Sequence, residues 1–397
     1  MYVYLFFVPT VHDVVSETHI YDCENMIYFD NAATSAYKPF SVKKAILREL
    51  NHSANPGRSS HAASLRAAMI VSDCREEIQR RFFSGNVIFT KNCTEALNLA
   101  IFGCPKKGAV VTTVFEHNSV LRPLKKTCDE NHRELRVVSP ENGDIVLPLL
   151  RAIKNDAKLV VVTAMSNVTG GCFPVAEIAK KVKERSDALI VVDMAQAAGH
   201  VRVDLSDVDL CAFAGHKGLL GPQGTGFLLC RERVALTPLL YGGTGSHGMS
   251  LTQPFDLPDG QEAGTLKTVG IAGLREGIKF VYDRFDVLNK RREKVFNALT
   301  DGLRFIRNIR VLAAENGIVT MNFASLDCAE GADRLDQYGV CVRAGLHCAP
   351  LAHKYLGTLP EGAIRFSVGV DNTVSEVETA LEVVEKIAHT RPVSGIY

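Results

Sequence analysis

The sequence predicts an α/β protein: a large domain with a mostly parallel central sheet, joined to a smaller α+β domain. Three observations predict it. From about residue 85, short apolar runs alternate with helical stretches, the pattern of parallel strands joined by crossover helices. Polar residues collect at the carboxyl ends of those runs, where open α/β sheets bind ligands. At 397 residues, 46% apolar and 22% charged, the chain can bury a large core and hold two or three domains' worth of structure.

Met26 opens the first strand pattern, Ile27-Tyr28-Phe29. The preceding MYVYLFFVPT is apolar, but it lacks a basic start, is too short to span a bilayer and runs into acidic residues rather than a small-residue cleavage site. It does not read as a signal peptide. Residues 1–25 read either as a flexible extension or as the product of a start site placed too early. Residues 38–264 read as the large domain, and residues 26–37 with 265–397 as the small one.

Within the large domain Val87 to Thr90 is a strand, followed by a helix from about Thr94 to Phe102. Ala109 to Thr113 and Leu159 to Thr163 are further strands. The run Ala188 to Val192 ends at Asp193, and Leu210 to Ala214 ends just before Gly215-His216-Lys217. Gly226 to Cys230 adds one short apolar strand, and residues 242–246 and 253–260 are a Gly/Pro-rich loop or hinge. A single long helical pattern then runs from about Val269 through Asp301, with short strands at Val311, Ile318 to Phe323 and Ile364 to Val368. Glu376 to His389 closes the chain as an amphipathic helix, with Val377, Ala380, Leu381, Val384 and Ile387 at helical spacing.

Composition excludes some function classes. Lys plus Arg (45) nearly cancel Asp plus Glu (44), so no strong field draws the protein to nucleic acid or to an acidic membrane surface. Any anion it binds must be held by local geometry. Eleven cysteines are spread along the chain with no C-x-x-C pair, which argues against structural zinc, thioredoxin-type chemistry and a metal centre. Without an export signal the expected compartment is the reducing cytoplasm, where most thiols act as small buried apolar groups.

Three features carry chemistry. Lys217 sits at a strand end among small residues, where crowding and desolvation favour the free amine and Schiff-base formation with a carbonyl compound. The plainer alternative is a surface lysine in a turn. Asp193 ends a run of five apolar residues, and a carboxylate at the mouth of a buried strand needs a cationic partner. A protonated pyridine nitrogen is such a partner, although Asp193 could instead cap a following helix. Lastly, the strand to Thr90, the turn Lys91-Asn92-Cys93 and the helix from Thr94 present free N–H groups where a phosphate could sit.

Five motifs, in chain order, add a resemblance. They are Tyr28-Phe29-Asp30-Asn31-Ala32-Ala33-Thr34, Glu116-His117-Asn118-Ser119, Val192-Asp193-Met194-Ala195-Gln196, Gly215-His216-Lys217 and Arg343-Ala344-Gly345-Leu346-His347-Cys348. From about residue 27 to about residue 388 the chain resembles the class V aminotransferase-fold enzymes, and most closely the cysteine desulfurases. The resemblance implies transferase fold type I and pyridoxal 5′-phosphate (PLP) as cofactor. It also implies L-cysteine as substrate, or L-selenocysteine.

The resemblance implies roles as well. Lys217 would hold PLP as a Schiff base, Asp193 would pair with the pyridine nitrogen, Gln196 would bond the phenolic oxygen and His117 would stack on the ring. Cys93, Thr94 and His216 would hold the phosphate, with Thr265 reaching it from a second subunit, which implies a homodimer. Asn167 and Arg343 would lie at the substrate, and Arg365 would grip its carboxylate, a task suited to a bidentate guanidinium. Cys348 would attack the substrate sulfur as a thiolate and keep it as a persulfide, with Arg343 and His347 as its electropositive neighbours. Without the resemblance Cys348 reads as one of eleven ordinary cysteines.

Arg343 lies five residues before Cys348 and no long Ser/Gly-rich loop intervenes, a spacing similar to desulfurases that pass sulfur to an acceptor protein. Selenocysteine lyases share it. Two departures concern the phosphate: Ala214 stands where the family often has a hydroxyl residue, and Lys91-Asn92-Cys93-Thr94 replaces the usual small-residue run. Competing readings are another PLP enzyme of this fold (an aminotransferase, lyase or epimerase) or a scaffold that has lost its cofactor. Lys217 and Asp193 together speak against the scaffold.

Overall fold

The computed structural model describes residues 26–389, apart from residues 58 and 247, so the reading of residues 1–25 lies outside the described residues. The chain enters through β1 (Ile27–Tyr28) and crosses to helices α1 (Phe40–Asn51) and α2 (Ala62–Arg81). There follow β2 (Asn86–Thr90), α3 (Cys93–Gly103), β3 (Ala109–Thr113), α4 (Asn118–Glu130), β4 (Leu135–Val138) and α5 (Val146–Ala152). Next come β5 (Ala157–Thr163), α6 (Val175–Arg185), β6 (Leu189–Asp193), β7 (Leu210–Ala214) and β8 (Gly226–Cys230). These strands form a seven-stranded sheet in the order β2-β8-β7-β6-β5-β3-β4. Only β8 runs against the rest, pairing antiparallel with both β2 and β7.

The sheet is covered on both faces, as near-continuous runs of valine, leucine and isoleucine require. Along β5 and β6, Leu159, Val161 and Val191 pack into one apolar cluster with α3 and α4. Val160, Val162, Ile190 and Val192 alternate into the opposite cluster with α2, α5 and α6. Because both faces are sealed, solvent and ligands reach these strands only at their ends.

Beyond the sheet lie α7 (Thr268–Asp283), α8 (Phe285–Phe305), β9 (Ile309–Glu315), β10 (Ile318–Phe323), α9 (Cys328–Gln337), β11 (Val340–Cys341) and β12 (Arg343–Gly345). The chain ends in α10 (Pro350–Leu356), β13 (Ala363–Ser367) and α11 (Val374–His389). The order β12-β13-β10-β9 is a four-stranded antiparallel sheet, backed by Val295, Leu299, Leu303, Val377, Ala380 and Val384. The long helix expected over 269–301 is two helices, broken at Arg284. The apolar periodicity continues through the break, but the turn lets Phe285 pack on Leu220 and Val281. β1 pairs with β11, and Asp30 bridges to Ser367, so the entry segment ties β13 to the large sheet's cleft.

Candidate active site

β5, β6 and β7 lie side by side, so the residues after their carboxyl ends meet in one place. Asp193 ends β6 and is 4% exposed; Lys217 follows β7 by three residues and is half-buried. Both line a cleft of about 490 Å³, counted with its open mouth, together with Thr94, His117, Asn167, Gln196 and His216. Gly215 keeps the lysine turn close to β8, since a Cβ there would fall 2.3 Å from Thr225 Oγ1.

The electrostatics of the cleft rest on burial. Burial raises the Asp193 pKa, opposed first by the Ala195 N–H donated to Oδ1 at 2.8 Å and then by the Lys217 charge. Burial lowers the Lys217 pKa, and Asp193 is the first group that opposes this. A carboxylate and an amine desolvated in one cleft suit a ligand with a cation at one end and a carbonyl at the other. After Asp193 the chain forms a turn rather than a helix, so its cap on Ala195 serves that turn.

His117 is the N-cap of α4, and its Nδ1 accepts the Ser119 N–H at 3.0 Å. That bond leaves the ring proton on Nε2. Burial, then Lys217 and Arg343, push its pKa down to about 4, so the ring is neutral at pH 7. Gln196 donates from Nε2 to the Ala32 carbonyl at 3.0 Å, and Asn167 from Nδ2 to the His347 carbonyl at 2.8 Å.

The opposite end of the cleft is the start of α3. Its N-cap Asn92 accepts the Glu95 N–H at 2.9 Å, while the amides of the first turn are, by position, donors without helical acceptors. Thr94 is exposed there. The Cys93 thiol turns away from this end, donating to Asp193 Oδ1 at 3.4 Å, and burial raises its pKa well above the usual thiol range. Only the main chain of Cys93 is therefore on offer to an anion. His216 lines the cleft with its pKa lowered to about 4 by burial, and Ala214 adds no hydroxyl.

Cys348 is exposed on the turn between β12 and α10. Its carbonyl accepts the Asn118 N–H at 2.6 Å, which ties the turn to the helix that His117 caps. Arg343 Nη2 lies 3.9 Å from the thiol, but His347, expected as a second electropositive neighbour, is buried and neutral, its pKa lowered to about 2 by desolvation. Arg365 is 1% exposed on β13; it donates to the Asn167 carbonyl from Nη1 and to Asp30 Oδ1 from Nη2, both at 2.9 Å. Its Nε is buried without a partner. Thr265 is exposed and lies outside the cleft's lining.

Sequence reasoning gave no role to several neighbours. Glu116 is fully buried after β3, accepting from Thr113 Oγ1 at 2.6 Å and Thr163 N–H at 3.0 Å; burial raises its pKa to about 8. It was findable by the logic applied to Asp193, an acid just past a buried strand. Ser35, through both its N–H and its hydroxyl, and the Lys38 amine converge on the His216 carbonyl at 3.0 to 3.1 Å. No local pattern marks these, because their partner is some 180 residues away. Among the described residues no cluster of His, Cys, Asp and Glu could hold a metal ion, and no helix is long and apolar enough to cross a membrane.

Comparisons with known proteins identify the family and the fold. Residues 27–380 match the family model described as aminotransferase class-V. A probable cysteine desulfurase of Pyrococcus abyssi is 34% identical over 92% of this chain and 94% of its own length. A cysteine desulfurase of an Enterobacter species is 31% identical over 92% and 94%. Among solved structures, an apo cysteine desulfurase of Thermococcus onnurineus superposes with a TM-score of 0.84 at 32% identity, covering 92% of this chain and 95% of that one. An Escherichia coli cysteine desulfurase gives 0.81 at 26% identity, covering 91% and 94%.

Proposed function

The chain belongs to the class-V aminotransferase family, whose cofactor is PLP, and from that premise we propose that it is a cysteine desulfurase converting L-cysteine to L-alanine. The observation that carries this reading is the meeting of Lys217 and Asp193 in one cleft, with the exposed Cys348 tied to the helix that His117 caps.

The residues present fit the cofactor. Asp193, desolvated and capped on one oxygen, would hold a proton at a pyridine nitrogen, and the Lys217 amine, its pKa lowered by burial, would bond the aldehyde carbon. The first-turn amides of α3, with Thr94 and His216, would hold the phosphate, Gln196 the phenolic oxygen and His117 the ring face. PLP supplies an electron sink for the substrate's α-carbon.

This chain's own groups do the rest. Arg365 would receive the substrate carboxylate, for which its buried, unpartnered Nε–H is an unused donor, with Asn167 bonded to it and Arg343 opposite it on β12. The Lys217 amine would take the α-proton. The Cys348 thiolate would attack the substrate sulfur; the new S–S bond forms as the C–S bond breaks, its electron pair stays with the β-carbon, and two protons, one on the β-carbon and one returned by Lys217 to the α-carbon, complete alanine. A reducing cytoplasm suits a thiol that must be unoxidised to act.

The persulfide on an exposed turn favours transfer to a sulfur-acceptor protein, and Thr265, out of reach of its own cleft, favours a homodimer that completes the site. Tyr241, Met249, Leu251 and Phe255, exposed in the loops before Thr265, give such a dimer apolar surface to cover. Alanine formed from cysteine and from selenocysteine by purified holoenzyme tests the reading. Alanine formation that needs a keto acid and ignores Cys348→Ala would mean an aminotransferase instead.

A further inference from the structure

Behind Cys348 runs a line of buried polar groups that the reaction above leaves unused. His347 and His353 are 3% and 0% exposed, and their rings lie 5.2 Å apart, nearly parallel. His347 Nε2 is 3.2 Å from the Arg343 carbonyl, His347 Nδ1 is 3.1 Å from His353 Nε2, and His353 Nδ1 is 2.8 Å from Thr358 Oγ1. The direction of every bond follows from the first. A carbonyl only accepts, so His347 Nε2 carries a hydrogen and its Nδ1, in a neutral ring, accepts. His353 must then donate from Nε2, which leaves its Nδ1 to accept the Thr358 hydroxyl proton. Burial lowers both histidines, to about 2 and about 4, so the neutral rings that this reading requires are the stable ones.

What the line holds is an unfavourable backbone. His347 and Cys348 have φ of 49° and 55°, the left-handed region that side chains with a Cβ avoid. Asn167 and Asn118 hold the two carbonyls from outside. The histidine line holds the turn from within and fixes the main chain of Arg343, whose guanidinium stands beside the thiol. One directional chain therefore sets the thiol and its cationic neighbour together.

We infer that His353 is a positioning residue for sulfur transfer: acting through His347, it holds Cys348 and Arg343 in mutual register before substrate arrives. The inference rests on Cys348 being the sulfur acceptor. Its alternative is a plain structural role, in which His353 only steadies α10 and the Thr358 turn.

The test uses the holoenzyme and three measurements: alkylation of Cys348 by iodoacetamide at fixed pH, followed by peptide mass so that the exposed Cys172 is counted apart, steady-state kinetics with cysteine, and melting temperature. His353→Leu is expected to slow Cys348 alkylation about fivefold and lower kcat about tenfold with KM within twofold, because the Cys348 turn and the Arg343 guanidinium beside it would no longer be held in register. His353→Gln keeps an N–H toward His347 and an acceptor, and is expected to restore both rates to within twofold. Wild-type alkylation and kcat in His353→Leu would overturn the inference, and so would a His353→Gln protein as slow as His353→Leu. If His353→Leu yields no folded holoenzyme, Thr358→Val carries the test, with alkylation slowed at least threefold expected and no change overturning it. Alkylation does not depend on turnover, so a failed desulfurase reading, seen as full activity in Cys348→Ala, stays distinguishable.

Discussion

Arg365 and Asp30, 335 positions apart, form an ion pair of 2.9 Å in which the guanidinium is almost wholly buried. Burial lowers the Arg365 pKa and Asp30 is the first group to restore it, so the carboxylate helps to keep the buried arginine charged. A lysine would keep the charge but lose the planar fork that bonds Asp30 and Asn167 at once. Arg365→Lys is expected to raise KM for cysteine about tenfold, about 1.4 kcal/mol, with kcat less affected. Steady-state alanine production measures this, and an unchanged KM would remove Arg365 from substrate binding.

Lys217→Ala should abolish covalent capture of PLP. In the wild type, borohydride is expected to fix the cofactor to the peptide carrying Lys217; in the variant no labelled peptide forms and alanine production ceases. A label on Lys38, whose pKa burial also lowers to about 8, would show that a different lysine holds the cofactor.

Cys348→Ala should separate chemistry from folding. The side chain is exposed, so stability is expected to change by no more than about 0.5 kcal/mol. Alanine formation from cysteine should fall at least a hundredfold, while the visible spectrum still responds when cysteine is added.

Stability should weaken on the acid side because of the buried histidines. His117, His216 and His353 have pKa values lowered to about 4, and His347 to about 2, by burial. The unfolded chain takes up these protons near pH 6.5 and the folded chain only near 4 or below, so stability is full above 6.5 and falls as pH drops through that window. Denaturant melts from pH 7 to pH 4.5 would show the fall, and a flat profile would contradict it.

Glu116 acts with the opposite sign. Its pKa is raised to about 8, so between about 4.5 and 8 the folded chain keeps a proton that the unfolded chain releases, and its contribution declines as pH rises. Glu116→Gln copies the protonated acid. It is expected to match wild-type stability near pH 5 and to exceed it at pH 8.5; equal melting temperatures at both would mean that the carboxyl is ionised in the fold.

The local code of this chain was enough for six of the seven strands of the large sheet and for the residues at their ends, but not for β4, a short edge strand with a mixed pattern. Strands sealed on both faces must be apolar throughout, so the polar residues that end them, Asp193 and Lys217 above all, stand out in one dimension. Local periodicity could not show that β8 runs backwards, since an apolar strand reads alike in either direction. Nor could it separate α7 from α8, because the apolar stripe continues through Arg284. The sequence by itself determined the α/β class, most of the sheet's strands and the chemistry offered at their ends. Only the tertiary structure decided that Cys93 turns its thiol to Asp193, that Arg365 takes Asp30, and that His353 reaches Cys348 through His347. These pairings depend on packing direction in three dimensions, which neither residue type nor spacing carries.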